Sequence, residues 1–349
     1  MKVLFLLEHA NYDTEEELYQ QYKIQLDIFH EAGFETAFFL GEGKSDEEII
    51  AAASDCDVIM ACGNPRISRK VLENCPRLKA VQRTGIGVNS IDGEAATELG
   101  LPVMNVAGYC IEELAVHAAG MILSIMRDLP YYDRGVRAGN WPKGKGKQPL
   151  RISNLTMGIV GLGGSGRKSA KIWHDGFGCK IIAYDPYVGQ EIGSEYHATM
   201  VDFDTLCREA DLITIHCPLT KETHHMFNDR AFSMMKSNVI IANTARGPVI
   251  DQAALVNALE KHLIKGVGLD VFESEPVPAD NPLNQFVDCT FFSPHSAFKG
   301  KEANHDQKVI CANLQVSLVR DHVLYTHYVT NPEVLPRLNG YETREETFL

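Results

Sequence analysis

The chain has no excess of positive charge: 33 lysines and arginines stand against 46 aspartates and glutamates, a formal net charge of -13. Nucleic acid or an anionic membrane would be repelled at long range, so neither is expected as a partner, and an anionic small molecule must be caught by local donors. Metal-type cysteine spacing is missing too. The nine cysteines (56, 62, 75, 110, 179, 207, 217, 289 and 311) are odd in number and form no CxxC pair. This argues against a disulfide framework or a cysteine metal site, predicts no metal ligands, and reads as a reduced, intracellular pattern. Long apolar runs are also lacking. The longest, Leu114 to Met126, contains His117 and falls short of the about 20 residues a bilayer span needs. Met1 to Leu7 gives way at once to Glu8 and His9, so it reads as a first strand and not as a signal peptide. A cytoplasmic location is expected. No repeat of solenoid period is present.

What is there is an ordinary globular composition, 45% hydrophobic and 23% charged over 349 residues, enough for two domains with a core each. In the first hundred residues, short apolar strands (Lys2 to Leu7, Phe34 to Leu40, Asp57 to Ala61, Leu78 to Gln82, Pro102 to Asn105) alternate with segments of helical spacing. That is a parallel α/β pattern. A helix from about Ile111 to Arg127 follows, then a Gly, Pro and Lys-rich stretch whose Lys143-Gly-Lys-Gly-Lys147 run lacks the preceding strand and the Lys-Ser/Thr ending of a phosphate loop. A solvated linker or subunit-contacting arm is the simpler reading.

A second α/β pattern starts near Leu155. Its first strand, Thr156 to Val160, leads into Gly161-Leu162-Gly163-Gly164-Ser165-Gly166, a helix-like segment runs from Arg167 to Asp175, and a second strand, Cys179 to Tyr184, delivers Asp185. Strand, glycine loop, helix, strand and acid together form a dinucleotide-binding fingerprint. Gly161 allows the tight turn, Gly163 lets backbone amides approach a pyrophosphate, and Gly166 lets the helix pack on its strand. Asp185 would accept from the ribose hydroxyls. Pro186 and Tyr187 follow it with no adjacent arginine, so a 2'-phosphate would be repelled and NAD is favoured over NADP. The strands Asp211 to His216, Asn238 to Ala242, Gly266 to Val271 and Cys289 to Ser293 complete the pattern. Helical spacing returns from Glu302 to Val319 and can lead back to the first domain.

Three segments stand at predicted strand ends of this second domain: Asn243-Thr244-Ala245-Arg246-Gly247, Asp270-Val271-Phe272-Glu273-Ser274-Glu275-Pro276 and Ser293-Pro294-His295-Ser296. They offer a cation, an acid and an imidazole where open parallel sheets bind ligands. With Arg83-Thr-Gly-Ile-Gly-Val-Asn-Ser-Ile-Asp92, Asn105-Val-Ala-Gly-Tyr109, the glycine loop and His216-Cys-Pro-Leu-Thr220, the ordered set closely resembles the D-isomer-specific 2-hydroxyacid dehydrogenase family over nearly the whole chain.

The resemblance implies an α/β fold of two doubly wound parallel-sheet domains, a Rossmann-type NAD-binding domain (108-298) inserted into a flavodoxin-like substrate domain (1-107 and 299-349). It implies an NAD-dependent oxidoreductase that interconverts an (R)-2-hydroxy acid and a 2-oxo acid, acting as a homodimer whose two domains close to exclude water. Arg246, Glu275 and His295 fall on the catalytic positions: Arg246 holds the substrate carboxylate and polarises the carbonyl, His295 is the acid/base, and Glu275 orients the imidazole and favours its charged form. The Gly85-Ile86-Gly87 loop falls on the segment whose amides grip the carboxylate. Cys217, Pro218 and Thr223 fall on the adenosine-side wall, and Thr244, Ala245 and Asp270 on the nicotinamide side, although a buried acid capping a nearby turn is the alternative for Asp270.

Departures narrow the reading. Ser165 takes the place of a branched apolar residue, and Val116 that of an acid before His117, which reads as a packed or hinge histidine. Ser296-Ala297-Phe298 is closer to the D-lactate and 2-hydroxyisocaproate branch than to the phosphoglycerate branch, which favours a small or medium 2-oxo acid. Tyr109 and Phe298 are candidates for side-chain selection. Arg66, Arg69 and Lys70 could receive a second anion. His9 and His224-His225 read as surface residues without metal-like partners. A corepressor-like NAD(H)-sensing module is the alternative function, since such relatives can keep the same three residues.

Overall fold

The computed structural model describes residues 1-8, 14-41, 43-141 and 149-348. His9 and the Lys143-Lys147 run lie outside the described residues. The chain divides into two compact units, Met1-Tyr109 with Lys301-Leu349, and Cys110-Gly300.

In the first unit β1 (Lys2-Leu7), β2 (Glu35-Leu40), β3 (Val58-Cys62), β4 (Ala80-Arg83) and β5 (Val103-Met104) form one parallel sheet in the order β2-β1-β3-β4-β5. That is the flavodoxin-like winding. Every residue of β3 is buried, as a central strand covered on both faces requires. The helices between the strands begin where local chemistry starts them. Thr14 accepts from Glu17 N at 3.1 Å, Ser45 and Glu48 form a reciprocal capping box, and Asp92 accepts from Ala95 N at 2.9 Å, each satisfying an N–H the helix cannot. The long helix Lys301-Val319 returns to this unit, and inside it Gln315 Nε2 donates to Gln82 Oε1 at 2.6 Å with both side chains buried.

The second unit holds β6 (Thr156-Val160), β7 (Lys180-Tyr184), β8 (Ala198-Met200), β9 (Leu212-Ile215), β10 (Ile240-Asn243), β11 (Gly266-Leu269) and β12 (Thr290-Phe292), ordered β12-β11-β10-β9-β6-β7-β8. All pairs are parallel, and the order reverses between β6 and β9, which is the Rossmann winding with its ligand-binding switch point. Apolar side chains fill both faces: Ile213, Ile215 and Ile241 with Leu255 and Phe232 on one, and Met157, Ile159 and Ile181 with Met121, Ile122 and Trp173 on the other.

Three local features differ from the sequence reading. The helix after the glycine loop starts at Gly164, not Arg167, and ends in a π-type turn over Ile172-Gly176. A further helix forms over Leu129-Arg137, where the sequence reading placed no element; Pro130 sits in its first turn, where the missing N–H costs nothing. The short edge strand β8 carries too few residues to show a period.

Candidate active site

At the switch point, Gly161 turns the chain with φ 91°. A Cβ on it would lie 2.7 Å from the Cys217 amide nitrogen, and one on Gly166 would lie 2.0 Å from the Gly161 carbonyl oxygen. Only glycine fits either place. At Gly163 an added Cβ meets nothing within 4 Å, and the helix Gly164-Lys171 behind it has no side-chain cap. Its first-turn amides, with Ser165 among them, are therefore available to an anion. Asp185 follows β7 and ties the loop down, Oδ2 accepting from Leu162 N at 2.8 Å and Oδ1 from Tyr187 N at 2.9 Å. On the far side of the switch point the hydroxyl of buried Thr244 has no hydrogen-bond partner among the described residues. An uncapped helix start, a loop that excludes side chains and an orphaned buried hydroxyl fit a dinucleotide.

Cys217 is buried, its thiol pushed up to about 11 by that burial, so it is a neutral wall. Beside it, Thr223 donates to the Pro218 carbonyl at 2.7 Å and closes the following turn. His216 Nε2 lies 2.9 Å from both Ser169 Oγ and Thr214 Oγ1, and burial depresses its pKa to about 4. Because the folded value lies below the unfolded one near 6.5, the unfolded chain binds more protons in between. Stability from a neutral His216 is present above about pH 6.5 and is lost as the pH falls toward 4. The loss is up to about 3 kcal/mol, less what screening at the partly open ring removes. Acid unfolding of His216→Gln should begin at lower pH than that of the wild type; identical profiles would refute this.

Arg246, Glu275 and His295 come from the loops after β10, β11 and β12. His295 Nδ1 stands 2.7 Å from Glu275 Oε2, while Glu275 Oε1 accepts from Phe272 N at 2.8 Å. Burial raises the pKa of Glu275, but the His295 hydrogen bond, the Phe272 amide and the charges of His295 and Arg246 outweigh it and hold the carboxyl below its ordinary value. It is ionised at neutral pH, so Nδ1 carries a proton and Nε2 is the ring atom left for chemistry. His295 keeps φ at 48°, an uncommon conformation for a side-chain-bearing residue. Its N–H donates to the Asp270 carbonyl at 2.8 Å.

Asp270 is 1% exposed, and its carboxylate accepts from Ser296 N (2.8 Å), Ala297 N (2.9 Å) and the Ser293 hydroxyl. His117 joins from its helix, Nε2 at 2.8 Å from Ser293 Oγ. This is the turn-capping arrangement, and it holds the segment that carries His295. The Phe298 ring meets His295 edge-on at 6.3 Å. Fully buried Asn243 does the same for the neighbouring segment: Oδ1 accepts from Ala245 N at 3.0 Å and Nδ2 donates to the Arg246 carbonyl at 2.9 Å. Sequence reasoning gave Asn243 no role, although its place at a strand end before a turn is the signal that an Asx cap leaves.

In the first unit, Gly85-Ile86-Gly87 follows β4, with the Ile86 side chain exposed and Tyr109 buried. Arg69 and Lys70 are ion-paired to Glu98 and Glu47. Two groups of metal-type ligands are brought together that spacing did not reveal, His225 with Asp251 and Glu273, and His174 with Asp175 and His197. His225 Nε2 is already paired with Glu273 Oε1 at 2.8 Å. His174 and His197 stack at 3.9 Å and 10°; in-plane lone pairs on parallel rings cannot meet at one ion. Neither group is assigned a metal.

Residues 119-297 match the family model described as D-isomer specific 2-hydroxyacid dehydrogenase, NAD binding domain. A glyoxylate reductase of Thermococcus litoralis is 39% identical over 65% of this chain and 70% of its own length. The chain belongs to the D-isomer specific 2-hydroxyacid dehydrogenase family. A D-3-phosphoglycerate dehydrogenase of Methanocaldococcus jannaschii is 34% identical over 88% of this chain, which spans 59% of that relative's length. Among solved structures, a D-lactate dehydrogenase with NAD+ from Lactobacillus jensenii aligns at a TM-score of 0.74 and 27% identity, covering 95% of this chain and 99% of that one. NAD is the cofactor of the family's domain found here, and no helix among the described residues is long and apolar enough to cross a membrane.

Proposed function

We propose that this protein is an NAD-dependent 2-hydroxyacid dehydrogenase that interconverts an (R)-2-hydroxy acid and a 2-oxo acid. The observation that carries the reading is the 2.7 Å pair of His295 Nδ1 with an ionised Glu275, which leaves Nε2 to hold a proton for the substrate's carbonyl oxygen. Arg246 takes the carboxylate and draws electron density from the adjacent carbonyl, using a planar fork that lysine lacks. In the first unit the Gly85-Ile86-Gly87 loop is the substrate-binding segment, its amides suited to an anion. When bound, NADH supplies the hydride for C2. His295 gives up its Nε2 proton as the oxygen gains charge, and takes it back in the oxidative direction.

For the cofactor, Gly161, Gly163, Gly164, Ser165 and Gly166 accommodate the pyrophosphate, Asp185 the ribose, Cys217, Pro218 and Thr223 the adenosine side, and Thr244, Ala245, Arg246, Asp270 and His295 the nicotinamide side. Asp270 acts there chiefly by positioning the His295 segment. The Ser296-Ala297-Phe298 sequence after His295 supports a substrate with a small or medium side chain. A homodimer is supported by the helix Leu129-Arg137, which buries none of its residues, and by exposed Trp141 (74%) nearby. A cytoplasmic location is proposed on the scattered, odd-numbered cysteines.

The test is the loss of NADH absorbance with glyoxylate, hydroxypyruvate, pyruvate, oxaloacetate, 2-oxoisocaproate and phenylpyruvate, and 3-phosphoglycerate in the oxidative direction. One clear substrate is expected. Tight NADH binding without turnover on any would refute the reading and favour a sensor. For cofactor choice, Asp185→Ala with Tyr187→Arg should move preference toward NADPH by removing the ribose acceptor and adding a phosphate donor. A wild type that already prefers NADPH would overturn the role of Asp185.

A further inference from the structure

We infer that Arg83 and Asn105 are positioning residues that set the polarity of the carboxylate-receiving loop, an inference that rests on the function proposed above. Each carbonyl of Gly85-Ile86-Gly87 already accepts a hydrogen bond: Gly85 from Val106 N at 3.1 Å, Ile86 from Asn105 Nδ2 at 2.9 Å, and Gly87 from Arg83 Nε at 3.1 Å. In a trans peptide the carbonyl of one residue and the N–H of the next point to opposite sides. Pinning three successive carbonyls therefore turns the N–H groups of Ile86, Gly87 and Val88 away from those donors. None of the three has a hydrogen-bond partner among the described residues. A run of backbone N–H groups presented together is an anion-binding concavity.

Both pins are themselves anchored. Asn105 is buried, its Oδ1 accepts from Ala107 N at 3.1 Å and its N–H donates to the Tyr328 carbonyl at 3.0 Å. Arg83 donates from Nη1 to the Ala61 carbonyl (3.3 Å) and Thr84 Oγ1 (3.2 Å), and from Nη2 to Asn64 Oδ1 (3.1 Å). Its fork spans β3, the loop after β3 and the loop after β4. Arg83 thus acts as a splint under the loop, through geometry that a point charge cannot reproduce.

Arg83→Lys keeps the charge and loses the fork, so it separates positioning from simple attraction. The expected result is a KM for the preferred 2-oxo acid raised tenfold or more, with kcat changed less than threefold and NADH affinity unchanged. Asn105→Ala should raise KM three- to tenfold in the same way, and it decides the matter if Arg83→Lys does not fold. An unchanged KM, or parallel losses in KM, kcat and NADH affinity, would overturn the inference. A measurement independent of turnover is the amide NMR shift of Ile86, Gly87 and Val88 on titration with oxamate, an unreactive 2-oxo acid analogue. Saturable shifts are expected in the wild type and weakened ones in both variants. Equal oxamate affinity in all three proteins would refute positioning, as would a wild type whose loop amides do not respond. A wild type that responds to oxamate yet turns over no 2-oxo acid would sink the dehydrogenase reading and leave the splint standing.

Discussion

Replacing His295 with glutamine should lower turnover of 2-oxo acids by about 10²- to 10⁴-fold, the range a positioned general acid contributes, while leaving NADH affinity within about twofold. Glutamine can still donate near Glu275 but holds no transferable proton at the position of Nε2. The binding half of the prediction follows from the fold. The glycine loop, Asp185 and Thr244 lie in and after β6, β7 and β10, and none depends on the imidazole for a hydrogen bond. Stopped-flow turnover and NADH fluorescence titration on one preparation test both halves. Retention of wild-type turnover would remove His295 from the chemistry. Glu275→Gln is a milder companion, because a neutral amide still accepts from Nδ1 but makes a weaker hydrogen bond than a carboxylate.

Gly247→Ala should cost nearly as much without touching a reacting group. A Cβ there would lie 1.9 Å from the Phe272 carbonyl oxygen and 2.6 Å from the Glu273 nitrogen, a clash of backbone with backbone that no rotamer relieves. Gly247 directly follows Arg246, and Phe272 donates its N–H to Glu275. Relief of the clash must therefore part the segment carrying the guanidinium from the one carrying the carboxylate that holds His295. Displacements near 1 Å in such settings cost about 10²-fold in rate. Overpacking of this kind destabilises by about 1-3 kcal/mol, which lowers Tm by roughly 2-4 °C per kcal/mol for a domain of this size. Thermal melts and kcat measured together check the coupling, and an alanine variant with wild-type kcat would show that the two segments are not tied at this point.

Much of this was legible without coordinates, for a physical reason. The glycine loop, the acid after β7 and the segments bearing Arg246, Glu275 and His295 are contiguous in the chain, and their local chemistry, tight turns, uncapped helix starts and strand ends, is written in neighbouring residues. Strand and helix alternation was legible because buried parallel strands read as short apolar runs. Helix starts carry local signals, as at Ser45 and Asn228, whose side chains accept from the amide three residues on. The helix Leu129-Arg137 was hidden because proline is a breaker in one helical position and a starter in another.

The fold class, the dinucleotide loop and the three residues proposed for chemistry are readable in the chain alone. What holds them in place comes from packing. It commits the carboxylate of Asp270 to the turn that carries His295, pairs His225 with Glu273 across 48 positions of chain, and brings Asn105 to the Ile86 carbonyl. Those partners are fixed by how strands and loops pack, and a hydrogen bond between residues far apart in sequence leaves no periodicity for the sequence to reveal.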